Sequence, residues 1–272
     1  MTTTTSLFQE NSWIYIEDKF IANDISGEIL DKRTFKKVSA KERTFTKVSF
    51  KYCIFDNVYF RKCKFDSCDF TGCKFINSNL NGSSFPGCNF QYCIFEKTLV
   101  DNDILYKSAP REENLKRDFA RTLRTNYQQI GDSKSVNLAI KIELEATETH
   151  LKKSWHSKEY YYREKYQGIE RFAAFLDWLN FKFLDFVWGN GEKAWKIIRL
   201  LIFVILIIAL IDISKATPNC NIRDSLSSAP SIFFGVYHPQ GYSNLFITVI
   251  TIIRLLIFGM FLSLIIKRLN RR

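Results

Sequence analysis

Two ionisable residues stand where the chain is otherwise apolar: Arg254, midway along 245–266, and Asp212, at the end of 195–213. A guanidinium in hydrocarbon costs between about 3 and 15 kcal/mol if it faces lipid, so Arg254 is expected to face another helix, Asp212 or a water-filled path. The chemistry on offer there is ion pairing, ion passage or contact between subunits. Groups suited to catalysis are scarcer. Six of seven cysteines (Cys53, Cys63, Cys68, Cys73, Cys88, Cys93) share one phase of a five-residue spacing. No C-x-x-C pair occurs and His150, His156 and His238 lie far off, so buried thiols in a reducing compartment are expected, without a metal or disulfide framework. Glu143, Glu145, Glu148 and His150 lie among Lys141, Lys152 and Lys153 with no nucleophile nearby, and read as a solvated helix face. Gly189-Asn190-Gly191-Glu192-Lys193 lacks the spacing and preceding strand of a phosphate loop. No enzyme and no cofactor are expected.

The cysteine spacing belongs to a longer pattern. From residue 31 to 105 the chain divides into fifteen units of five, and eleven of the fifteen closing residues are Phe. The strongest stretch closes on Phe50, Phe55, Phe60, Phe65, Phe70, Phe75, Phe85, Phe90 and Phe95, with a small side chain, often Cys, two residues before each. A period of five suits neither a helix nor a flat strand. It needs a chain that turns a corner every five residues and stacks its coils at about 4.8 Å, with Phe and Cys inside.

This pattern resembles the pentapeptide-repeat family in its Phe- and Cys-rich form. The resemblance implies a right-handed quadrilateral β-helix of about four coils over 30–107, with residues 1–29, including Trp13-Ile14-Tyr15-Ile16, as an N-terminal cap. Some relatives mimic DNA through acidic outer faces. Here Lys and Arg prevail over 31–110, and the whole chain carries a net charge of +11, so DNA mimicry and a nucleic-acid partner are disfavoured.

Residues 108–194 read as a helical linker. Leu115, Phe119, Leu123, Tyr127 and Ile130 mark an amphipathic helix over 109–130, stopped by Gly131. A second helix follows from Ser133 toward Lys153, and 172–188, rich in Phe and Trp, suits a membrane interface. Residues 195–272 form a two-helix transmembrane domain with spans 195–213 and 245–266. Lys193, Lys196 and Arg199 precede the first span, and Lys267, Arg268, Arg271 and Arg272 follow the second. The expected placement is a multi-pass protein of the cell (inner) membrane with both termini cytoplasmic. The opening Met-Thr-Thr-Thr-Thr-Ser has no basic-then-apolar signal for cleavage. The fold class is thus β plus α membrane.

This layout also resembles pentapeptide repeats fused to a two-transmembrane potassium-channel-like module. The likeness lies in Asn126-Tyr127-Gln128-Gln129-Ile130-Gly131-Asp132, in Gly189 to Arg199, and in the last span with Arg254 and Gly259. A potassium filter reads T-V-G-Y-G. The best counterpart is Pro239-Gln240-Gly241-Tyr242-Ser243-Asn244, where Ser243 replaces the second glycine and Asn244 the acid, while Arg254 stands where a glutamate is frequent. The resemblance implies a pore formed by a homo-oligomer, a tetramer; the departure at Arg254 gives it a positive lining, expected to favour anions or weak selectivity instead of potassium. The other partners expected are the lipid bilayer and a cytoplasmic protein or small-molecule trigger. Two rival readings are a membrane-anchored binding scaffold without a pore and a membrane-disrupting effector, as in bacterial antiphage defence.

Overall fold

A computed structural model describes residues 13–215, 222–237 and 242–269. The chain divides into two compact units, one ending at Arg163 and one beginning at Glu164.

The first unit opens with ten short strands: β1 (Ile14–Glu17), β2 (Ile25–Ser26), β3 (Arg33–Lys36), β4 (Ser39–Lys41), β5 (Thr44–Thr46), β6 (Ile54–Asp56), β7 (Tyr59–Arg61), β8 (Lys64–Asp66), β9 (Lys74–Ile76) and β10 (Ile94–Glu96). Every pairing is parallel, and from β3 onward the partner lies twenty residues along: Phe35 opposes Phe55, Ala40 opposes Phe60, Phe45 opposes Phe65. Four five-residue units therefore make one turn, and the result is a β-solenoid of about four turns. Pairing begins N-terminal to residue 30, because β1 sets Ile14 opposite Arg33 and β2 sets Ile25 opposite Phe45. In that first coil Ile16, Ile21, Ile25 and Leu30 take the inward positions that Phe fills later.

The Phe residues form three columns. Phe35, Phe55, Phe75 and Phe95 stack with centroids 5.0, 4.7 and 5.0 Å apart. Phe45, Phe65 and Phe85 follow at 4.7 and 5.2 Å, and Phe50, Phe70 and Phe90 at 5.2 and 5.0 Å. These distances match the spacing of hydrogen-bonded strands, so ring stacking and backbone pairing share one repeat. The fourth column mixes Ala40, Phe60, Leu80 and Val100, all buried.

The small inward residues do more than save space. Cys53, Cys68, Cys73, Cys88 and Cys93 each point a thiol at the carbonyl 23 residues earlier, at 2.8–3.4 Å. Ser83 donates to Phe60 in the same way at 2.7 Å and also accepts from the Cys63 amide. Cys and Ser are thus the side chains small enough for the interior that also satisfy backbone groups between coils.

The solenoid's C-terminal end is closed by helices: α1 (Ile104–Lys107), α2 (Glu113–Gln129) and α3 (Ser133–His156). Phe119 of α2 lies on Phe90 and Phe95, continuing the core. The last coil would leave unpaired amides, and α2 side chains take them: Thr122 for Phe95, Asn126 for Thr98, Gln129 for Lys97. Asn126 is fully buried and returns a bond to the Thr98 carbonyl at 2.8 Å. Gly131, at φ 76°, ends α2, and Asp132 caps α3 by accepting from the Ser135 amide. Helix α2 begins at Glu113, later than the expected 109, because 104–107 already form the separate turn α1.

One expectation is corrected here. Glu143 and His150 are not on a solvated face: Glu143 is buried and paired with Arg121 and Arg124 at 3.0 and 2.9 Å. His150 is buried with Nδ1 3.3 Å from the Tyr162 hydroxyl of the short helix α4 (Tyr160–Lys165). The hairpin of α2 and α3 buries one face of α3 that the lysines had made look polar.

The second unit holds α5 (Gly168–Trp188), α6 (Ala194–Lys215), α7 (Ile222–Phe234) and α8 (Asn244–Leu269). Helices α6 and α8 are long and apolar enough to span a membrane, and most of their apolar side chains, such as Phe203, Leu210, Leu255 and Leu262, are exposed. A soluble core helix of this composition would bury them.

Candidate functional site

Helix α5 ends at Gly189, whose φ of 68° opens a run of three left-handed residues, Gly189, Asn190 and Gly191. A side chain at 189 would also strike Lys193. Three basic residues beside this turn are engaged. Lys196 meets the Asp185 carboxylate at 2.7 Å, Arg199 donates to the Phe186 carbonyl at 2.6 Å and lies over its ring, and Lys267 pairs with Glu192 and the Gly191 carbonyl. One end of α6 and of α8 is therefore tied to a single turn by charge-assisted bonds.

At the opposite end of α6, Asp212 accepts from the Tyr242 hydroxyl at 2.6 Å and from Ser228 at 3.4 Å. That carboxylate joins α6, α7 and the start of α8. It does not pair with Arg254, as one of the sequence alternatives had it. Tyr242 also stacks on Phe246, 5.0 Å away, and Ser243 starts α8 by accepting from the Phe246 amide. Asn244 is the first residue of α8, and Gly241 lies outside the described residues. Among the described residues nothing lies within 4 Å of a Cβ placed on Gly259, so no described helix uses its lack of a side chain.

Between α6 and α8 the chain is not a plain connection: α7 folds back against both. Ala229, Ile232 and Phe233 are buried in a cluster with Ile208 and Ala209 of α6 and Ile250 and Ile257 of α8. The helix stops at Gly235, φ 76°, and its last carbonyls are partly capped: Ile232 receives the Gly235 amide, and Ser231 receives those of Val236 and Tyr237. A Cβ on Gly235 would collide with the Arg254 guanidinium, whose Cζ is 3.4 Å from that position. Arg254 therefore lies against the carboxyl end of α7, where the helix dipole favours a cation. A cavity of about 80 Å³ adjoins it, lined by Arg254, Gly235, Tyr237, Thr251 and three isoleucines. Gly235, Tyr237 and Ser228 had not been singled out in the sequence. The one signal for Gly235 was its place directly after an apolar run.

The solenoid offers a different feature. Lys41 and Arg61 are directly paired across a parallel ladder, and Lys62 follows at the next corner, all exposed. None has a carboxylate partner among the described residues, and Arg61 bonds instead to the Tyr59 hydroxyl. Like charges across a ladder repel, so Lys41 and Arg61 do not stabilise this pairing. Burial pushes the Cys53 thiol up to about 12 and the Cys63 thiol upward, which disfavours both as nucleophiles near neutral pH. Among the described residues no cluster of three or more His, Cys, Asp or Glu is set to hold a metal.

No curated protein gives a significant match to the chain. The family model for pentapeptide repeats matches in eight copies, over residues 44–82, 53–91 and 68–98, which are the coils with the complete Phe columns. Sequence and backbone agree that the first unit contains a pentapeptide-repeat β-solenoid.

Proposed function

We propose that this chain is an ion-channel-like membrane protein that works as a homo-oligomer, with the solenoid as its cytoplasmic sensing or scaffolding part. One observation carries the reading: α7 packs its apolar face between two membrane-length helices and directs its carboxyl end at Arg254. A pure anchor needs no such intermediate helix. Two spans cannot enclose a path alone, so several copies are required, and the likeness to two-transmembrane channels suggests four. The basic residues at the α5–α6 turn and at the end of α8 support cytoplasmic placement of both termini in a cell membrane. The family likeness also supports a right-handed, quadrilateral coil.

The test is ion flux through purified protein in liposomes, comparing wild type with Arg254→Leu and Arg254→Glu. Flux that falls or changes its preferred sign of ion supports a path past Arg254. A stable oligomer without flux in any variant favours a second reading, a membrane-tethered binding scaffold. The specific support for that alternative is the unpaired ridge of Lys41, Arg61 and Lys62.

A further inference from the structure

We infer that the cavity beside Arg254 binds a small monovalent anion of halide size. Arg254 carries five N–H donors and makes no hydrogen bond or ion pair among the described residues. It stands ten residues inside α8, roughly 15 Å from that helix's first residue by helical rise. The nearest acid considered from sequence, Asp212, is taken by Tyr242 and Ser228.

The carboxyl end of α7 offsets only about half a unit charge, and two of its terminal carbonyls already receive amides at the Gly235 turn. A full compensating charge is therefore missing, and a cavity adjoins the guanidinium where one would sit. Its volume of about 80 Å³ exceeds the roughly 10–15 Å³ that a single water requires, so a halide has room there. Gluconate, with its six-carbon chain, is far bulkier than a halide and serves as the contrast. Tyr237 lines the same cavity, whereas the Thr251 hydroxyl is committed to the Ile247 carbonyl at 2.9 Å. Isoleucines form the remaining wall, which strengthens a charge pair by excluding water.

The inference deepens the pore reading by naming the ion, but binding does not require that the chain conduct. The experiment uses full-length protein in nanodiscs of neutral lipid. Binding of radiolabelled chloride and thermal unfolding are both measured, in chloride, bromide or gluconate at equal ionic strength. The expected result is saturable chloride binding and a higher melting temperature in both halides than in gluconate. Arg254→Gln should weaken binding at least tenfold, and Arg254→Lys should shift it to higher halide concentration. Identical behaviour in gluconate, or an unchanged halide effect in Arg254→Gln, overturns the site. Should Arg254→Gln not fold, the wild type in gluconate and Arg254→Lys still decide. Halide binding without liposome flux keeps this site and removes the pore; flux without halide binding does the reverse.

Discussion

At the scale of single residues, the interior of the solenoid sets sharp tolerances. Phe70 stacks on Phe50 and Phe90 and meets Phe55 and Phe85 edge-on. Phe70→Ala should cost about 3–5 kcal/mol in chemical denaturation, while Phe70→Leu, a residue the fourth column already uses at Leu80, should cost under about 1.5 kcal/mol. The thiols make stability depend on alkaline pH. Cys53, buried, is pushed from 9.0 to about 12, with the Arg33 amide pulling weakly the other way. The folded chain keeps a proton that the unfolded chain releases, so this contribution is complete below pH 9 and is lost as pH rises toward 12. A denaturation series over that window should show a falling midpoint, and a shallower fall in Cys53→Ser. The five-residue spacing made these positions legible in the sequence. It did not tell why Cys recurs, since the thiol-to-carbonyl bonds link residues 23 apart and exist only once coils stack.

At the scale of elements, two joints carry testable weight. Asn126 is the plug on which the last coil ends, bonded to both backbone groups of Thr98. Asn126→Ala should cost about 3 kcal/mol and speed amide exchange over 94–98, because two buried backbone groups lose partners. The Tyr242–Asp212 bond pins the start of α8 to the end of α6, so Tyr242→Phe should lower stability by about 1.5–3 kcal/mol and raise exchange at the start of α8. Helices α6 and α8 were plain in the sequence from apolar length alone. Helix α7 was not: Pro230 and four serines give it poor local propensity, and packing of Ala229, Ile232 and Phe233 on the spans overrides that. Glu143 was misread for a related reason, since only the α2–α3 hairpin brings Arg121 and Arg124 to it.

At the scale of the whole molecule, charge and symmetry are unevenly distributed. The first coil carries Glu17, Asp18, Asp24 and Glu28, whereas the next two carry Lys41, Arg61 and Lys62. Arg61→Glu should raise the melting temperature slightly and lessen its gain from added salt, because it turns a like-charge pair with Lys41 into an attractive one. The twenty-residue register has a genetic consequence. Removing 54–73 joins Cys53 to Lys74, the residue that already sits opposite Ile54, so the deletion is a translation by one lattice step that leaves both boundaries of the coil intact. Removing 54–58 instead turns every later residue by one side of the coil and carries α2 away from its seat. Within the solenoid, such a gene can therefore lengthen or shorten its product without loss of register only in quanta of twenty codons, and surviving solenoid length variants should differ by whole multiples of that number.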